Sequence, residues 1–279
     1  MKTRLITAAI AAALFLPFLI FSGTPAFIVF AVLANIISVF EMIKCIHLQK
    51  NLFCLISAEV YGIVAAIFSR IGNNRIVTFA VITIAYVVIN LIVSMFSKEK
   101  YSLTNACKAT LLTVGVVFGY LSLIFIRDLP YGKYAIWLVI IGSWLSDSGA
   151  YFVGTFFGKH KLCPDISPKK TWEGLFGGVF FCLIFFLIYG DLVTIFAKDY
   201  HANLWLLMIC GAVVAAVSVF GDLLASYIKR AHKVKDYGKI LPGHGGFLDR
   251  FDSVLAASVT LWAFCLITSG FPIFVANQV

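Results

Sequence analysis

Ile76-Val-Thr-Phe-Ala-Val-Ile-Thr-Ile-Ala-Tyr-Val-Val-Ile-Asn-Leu-Ile-Val-Ser-Met-Phe96 runs for twenty-one residues without a charged side chain. A helix of that length rises about 30 Å, the thickness of a bilayer's hydrocarbon core. A membrane β-strand would instead alternate apolar and polar residues over about ten positions. Inside lipid every backbone N–H and C=O needs a partner within its own segment, so a helix is the economical reading. Eight more such segments flank it, at roughly 5–22, 25–43, 52–69, 104–126, 134–157, 172–190, 203–227 and 252–270. The first follows Lys2 and Arg4 in the manner of a signal peptide. It lacks a small-residue cleavage site followed by a soluble domain, so it is read as the first span. The expected fold is an all-α, polytopic integral membrane helix bundle of about nine transmembrane helices.

The rest of the composition agrees. Of 279 residues, 61% are hydrophobic and 13% charged, with 27 Phe against 13 acids. Mean hydropathy is +0.98. Soluble domains average about 45–50% apolar and about 25% charged, and disordered chains are poor in aromatics. Both classes are excluded. The net charge of +9 would suggest nucleic acid in a soluble protein. Here the bases fall in short loops, so anionic headgroups and topology explain them, and no nucleic-acid partner is expected. Five of the 22 Lys and Arg (Arg70, Arg75, Arg127, Lys133 and Lys198) fall on one side of a nine-span arrangement, and the other seventeen share the side of the N-terminus. The positive-inside rule then makes the N-terminus cytoplasmic and places the C-terminus outside. The seven cysteines are odd in number, lie mostly in apolar runs and form no CxxC, so neither a disulfide framework nor a zinc site is expected.

Composition shifts near residue 130. Residues 1–130 read as about five scaffold helices. Residues 131–279 read as a catalytic half, with polar cytoplasmic loops at 158–171 and 229–246. Ionisable groups in spanning helices are costly and mark function by default. Asp147 lies in Ser143-Trp-Leu-Ser-Asp-Ser-Gly-Ala-Tyr151, where helical spacing puts Ser143, Asp147 and Tyr151 on one face. Asp222, Ser226, Lys229 and Arg230 fall at i, i+4, i+7 and i+8, and Asp249 and Asp252 open the last span at i, i+3. Between them runs Lys235-Asp-Tyr-Gly-Lys-Ile-Leu-Pro-Gly-His-Gly-Gly246, offering bases, a histidine and glycines that permit close backbone approach. Bland roles suffice for other polar groups. Glu41, near a helix end, can snorkel to water. Glu59 is a lone hydrogen-bonding group, Lys98, Glu99 and Lys100 are a solvated loop, and His47 and His160 are loop residues near headgroups.

Oxygen-only acidic ligands suit a hard cation such as Mg²⁺, and Mg²⁺ with clustered Lys and Arg is the usual equipment for phosphates. No GxxxxGK[ST] loop and no Ser/His/Asp spacing occurs. The residues alone therefore point to a Mg²⁺-dependent enzyme acting on phosphate groups at the cytoplasmic face, with a lipid as second substrate.

The stretch from Ser226 to Asp252 reads S-x-x-K-R-x4-K-D-x-G followed by P-G-H-G-G-x-x-D-R-x-D. It resembles the signature of phosphatidate cytidylyltransferases, the CDP-diacylglycerol synthases. Ser167-Pro-Lys-Lys-Thr-Trp-Glu-Gly174 resembles that family's SPKKTWEG loop. Ser146-Asp-Ser-Gly-Ala-Tyr151 resembles its SDTGAY, with Ser148 for Thr, and Ala225 departs from the Glu of many bacterial members. The resemblance covers residues 143–252. It implies the reaction of CTP with phosphatidic acid to give CDP-diacylglycerol and pyrophosphate, in phospholipid biosynthesis at the bacterial inner membrane. It implies Asp222 and Asp249 as Mg²⁺ ligands, with a second cation and a homodimer as further expectations. Lys229, Arg230, Lys235 and Arg250 would bind phosphates, and Gly245 and Gly246 would line the substrate. Lys169 and Lys170 would close over the site from a mobile loop. Asp236 and His244 would position the substrate or brace the loop, and Asp147 would hold a metal or orient a lysine. Ser226 completes the expected catalytic set. A CTP-dependent polyprenol-type kinase and a cation-coupled transporter are the alternatives. The intact PGHGGxxDRxD block disfavours the kinase. Charges crowded on one face, away from the midplane between inverted repeats, disfavour the transporter.

Overall fold

The computed structural model describes residues 16–71, 74–97, 100–241, 243 and 245–277. Most of the expected first span, 5–22, lies outside them. Eight helices among the described residues are long and apolar enough to cross a membrane, and they match the other eight expected segments. They are α1 (Pro25–Cys45), α2 (Leu52–Ile71), α3 (Arg75–Phe96), α4 (Leu103–Arg127), the composite α5–α6, α7 (Trp172–Phe196), α8 (Leu204–Ala231) and α9 (Leu248–Ile267). The composite helix consists of α5 (Gly132–Ile140), a π turn over Ile141–Leu145 and α6 (Ser146–Phe157). The protein is an all-α multi-pass membrane bundle.

Three boundaries differ from the sequence expectation. The last span starts at Leu248, so Asp249 and Arg250 stand in its first turn. The seventh helix runs on to Phe196. The segment 158–171 is a small antiparallel hairpin, β1 (Lys161–Cys163) with β2 (Ser167–Thr171), whose ladder pairs Lys161 with Thr171. A second hairpin pairs β3 (Tyr200–Ala202) with β4 (Phe274–Ala276). None of the seven cysteines forms a disulfide.

The chain divides into two compact units. One comprises Met1–Leu121 with Ala231–Arg250; the other comprises Ser122–Arg230 with Phe251–Val279. The signature loop, expected with the second half, thus clusters with the N-terminal helices.

In the first unit α3 is inside out by soluble standards. The buried residues of α3 are Tyr86, Asn90 and Ser94, one polar stripe at i, i+4 and i+8. Tyr101 Oη donates to Asn90 Oδ1 at 2.9 Å, Ser94 Oγ donates to the Tyr101 carbonyl at 3.0 Å, and the Tyr61 and Tyr86 rings stack at 4.3 Å. Most of its Val and Ile side chains, and Met95, are exposed. Lipid tails are as apolar as leucine, so helix association relies on such hydrogen bonds and close packing.

In the second unit α6 packs tightly on α7. A Cβ at Gly177 would meet Val153, and one at Gly178 would lie 2.6 Å from the Ser146 carbonyl oxygen. Glycine is what lets these two backbones approach. Thr171 caps α7, its Oγ1 accepting from the Gly174 N–H at 3.1 Å, the standard N-cap service. Glu173, in the first turn, accepts the His160 backbone N–H at 3.2 Å and contacts His160 Nδ1 at 2.6 Å. The first five residues of the SPKKTWEG block are therefore a strand and the last three a helix start.

Candidate active site

In the second unit, three carboxylates from three helices lie within electrostatic reach of one another: Asp147 on α6, Asp222 on α8 and Asp252 on α9. The π turn ends two residues before Asp147. Such turns insert an extra residue into the helical ladder and recur at functional positions. Behind it, Ser143 Oγ and Ser253 Oγ are 3.0 Å apart and buried, and the Ser253 side chain also hydrogen-bonds Asp147.

Two lysines balance these acids. Lys170, from β2, places Nζ 2.7 Å from Asp222 Oδ2 and donates to the Val219 carbonyl at 2.8 Å. Lys229 Nζ lies 4.0 Å from Asp252 Oδ2, with both side chains only 9% exposed. An unpaired charge at the buried Lys229–Asp252 position would be strongly destabilising. Lys170 is thus not the mobile loop residue expected from the sequence. The hairpin fixes it, because β2 is pinned to β1 and its last residue caps α7. Lys169, its neighbour, points away and is exposed. Ser226 is half-buried on α8, and Arg230 is exposed one residue before the helix end.

In the first unit the segment from Lys235 to Arg250 is organised by Asp249. Its Oδ2 accepts the backbone N–H groups of Tyr237 at 2.8 Å and Gly246 at 2.9 Å. Leu241 N–H donates to the Gly245 carbonyl at 3.0 Å, closing the loop. Gly245 has φ +86°, and a Cβ there would lie 3.0 Å from Asp249 Oδ2. Only glycine takes that conformation cheaply. Lys235, Asp236 and Arg250 are exposed, and Gly246 is buried. His244 lies outside the described residues.

Three residues outside the expected set emerge. Asp252 and Ser253 join the second-unit cluster. The i, i+3 spacing from Asp249 flags Asp252, but nothing in the sequence pairs it with Lys229. Glu41 is the third. It does not snorkel: it is 2% exposed and accepts the N–H groups of Phe247 and Leu248. Its partners lie more than 200 positions away, which no local pattern conveys.

The donor chemistry fits a hard cation, since every acid concerned offers oxygen alone. Among the described residues no three His, Cys, Asp or Glu side chains close on one point. Mg²⁺ takes one or two carboxylates and fills its remaining positions with water and substrate phosphate oxygens. Such an ion suits these residues better than one needing a complete protein cage.

The sequence of the chain matches known proteins over nearly its whole length. A profile of the Cytidylyltransferase family matches residues 2–268. A phosphatidate cytidylyltransferase of Staphylococcus haemolyticus (strain JCSC1435) is 36% identical over 269 residues, covering 91% of this chain and 95% of the relative. Phosphatidate cytidylyltransferases of Staphylococcus aureus (strain COL) and Staphylococcus epidermidis (strain ATCC 12228 / FDA PCI 1200) are 34% and 36% identical over 271 residues, with the same coverage. A match spanning every described membrane helix, with relatives at 34–36% identity, shows that this chain belongs to the cytidylyltransferase family.

Proposed function

We propose that the protein transfers a cytidylyl group from CTP to phosphatidic acid, releasing pyrophosphate and forming CDP-diacylglycerol. The observation that carries this reading is the Lys170–Asp222 pair: a lysine held at 2.7 Å from a carboxylate on a membrane-length helix of a cytidylyltransferase-family chain. The names of the relatives support the choice of lipid.

The phosphate monoester of phosphatidate is anionic near neutral pH. Its oxygen attacks the α-phosphorus of CTP, and the bond to the bridging oxygen of pyrophosphate breaks. The nucleophile needs no general base, and no candidate base is required of the chain. The difficulty is bringing two anions together, which positioning and fixed cations relieve. Lys170 has three N–H donors. Two are engaged by Asp222 and the Val219 carbonyl, which leaves one for a phosphate oxygen. Lys229 and Arg230, at the end of α8, together with Lys235 and Arg250, are assigned to phosphates of the two substrates. Asp222 and Asp249 would hold Mg²⁺, an assignment that rests on the motif resemblance. When bound, the ion supplies charge neutralisation on the triphosphate. Asp147 and Asp252 set the field around Asp222, and Ser226 lies one helical turn beyond it. The site faces the cytoplasm, where CTP is made, in the bacterial inner membrane.

Purified protein in detergent, given labelled CTP, phosphatidate and Mg²⁺, tests this directly. Pyrophosphate and lipid-linked CMP are expected. CDP with a newly phosphorylated lipid would mean a kinase, and no turnover would remove the enzymatic reading.

A further inference from the structure

Glu41 belongs to none of the sequence motifs, yet both its oxygens are engaged. Phe247 N–H donates to Oε1 at 3.0 Å and Leu248 N–H to Oε2 at 2.8 Å. These are N–H groups at the start of α9, where helices leave donors without intrahelical partners and where anions settle. The anion here is the protein's own side chain, delivered from α1. Hydrogen bonds to a charged acceptor are about twice as strong as neutral ones, and losing the acceptor would leave buried donors unmet.

Two signature glycines owe their identity to the same carboxylate. A Cβ at Gly238 would collide with Glu41 Oε1, and one at Gly246 would stand 2.6 Å from both carboxylate oxygens. From the other side, Asp249 holds the N–H groups of Tyr237 and Gly246. The glycine loop is therefore gripped by two carboxylates, one from its own helix and one from α1.

We propose that Glu41 is a positioning residue for the signature loop: it keeps the segment from Tyr237 to Leu248 in one conformation, so that CTP meets a preformed loop. The kinetic part of this statement rests on the cytidylyltransferase reading; the conformational part does not. A loop that must be reordered at each binding event lowers apparent affinity by the fraction of time it is competent. The cost falls on the KM for CTP.

The test pairs Glu41→Gln with Gly238→Ala in the full chain in detergent. Hydrogen–deuterium exchange is read over residues 237–248 without substrate, and KM and kcat are read for each substrate. In Glu41→Gln, exchange in the loop should quicken by about tenfold or more, matching the loss of a charge-assisted hydrogen bond. The KM for CTP should rise by a similar factor, with kcat and the KM for phosphatidate within about twofold. Gly238→Ala should reproduce both effects by pushing on an intact carboxylate. Added to Glu41→Ala it should worsen both by less than it does alone, because the carboxylate is gone and only the Gly246 Cα, 3.2 Å from the new Cβ, still has to give. Wild-type exchange in both single variants would overturn the proposal. So would quickened exchange with a lower kcat and both KM values unchanged, the signature of a smaller fraction of folded protein. A wild-type protein without turnover would remove the cytidylyltransferase reading and leave the exchange arm to decide the role of Glu41 alone.

Discussion

Lys170 and Asp222 show how far single residues were legible. Their chemistry was plain from the motifs, and their contact was not, because it depends on a hairpin that brings β2 back along α8. The position of Lys170 changes what its loss should do. A mobile lysine would bind ground and transition states alike and affect KM; a fixed one contributes most where charge develops. Lys170→Ala should therefore lower kcat by at least about tenfold, some 1.4 kcal/mol of barrier, whereas Lys169→Ala, at an exposed site, should change KM by no more than a few fold. A raised KM in Lys170→Ala with kcat unchanged, read from titrations of CTP and of phosphatidate, would return it to the role of a mobile clamp. Asp222→Asn should remove nearly all turnover while leaving a folded protein, since an amide binds Mg²⁺ poorly. Retention of more than about a tenth of the wild-type rate at saturating Mg²⁺ would take Asp222 away from the metal. Asp249→Asn should be as severe, and it should also quicken exchange at Tyr237 and Gly246, whose N–H groups its Oδ2 accepts.

At the scale of elements, the spans were readable because hydropathy is local: twenty apolar residues declare a helix whatever surrounds them. Short strands carry no such signal, so the hairpin over 161–171 and the strands at 200–202 and 274–276 were invisible. The π turn at Ile141–Leu145 was equally silent, since its cause is packing against neighbours and not composition. The contact of α6 with α7 gives a clean test. Gly178→Ala would drive a methyl to 2.6 Å from the Ser146 carbonyl, a backbone atom that cannot swing aside. Overpacking of this kind costs about 1–3 kcal/mol. Thermal unfolding in detergent should show the loss, and activity should fall with it because Ser146 adjoins Asp147. An unchanged melting temperature would mean that the helices can part at no cost.

For the molecule as a whole, charge placement predicts orientation. The hairpin 158–171 and the loop 229–246 should both face the cytoplasm, with seventeen of 22 bases on that side. Lys161 and Lys239 are exposed. Single cysteines there, in a background free of the seven native ones, should resist an impermeant thiol reagent added to intact cells. Labelling from outside at either position would invert the topology. The two-unit division was not legible, because residues 231–250 are adjacent in sequence to the second unit and cluster with the first. Hydropathy assigns spans; it does not say which of them share a core.

The long reach of Glu41 also sets a timetable. Its partners follow 206 and 207 residues later, and ribosomes add about 5–20 residues each second. For roughly 10–40 s after Glu41 is made, the donors it accepts from in the first unit have yet to be synthesised. The first turn of α9 therefore completes a unit whose other helices are made much earlier. Protease resistance of arrested nascent chains should rise when Leu248 clears the exit tunnel, and a rise at the fourth helix instead would show that the early helices finish folding without it.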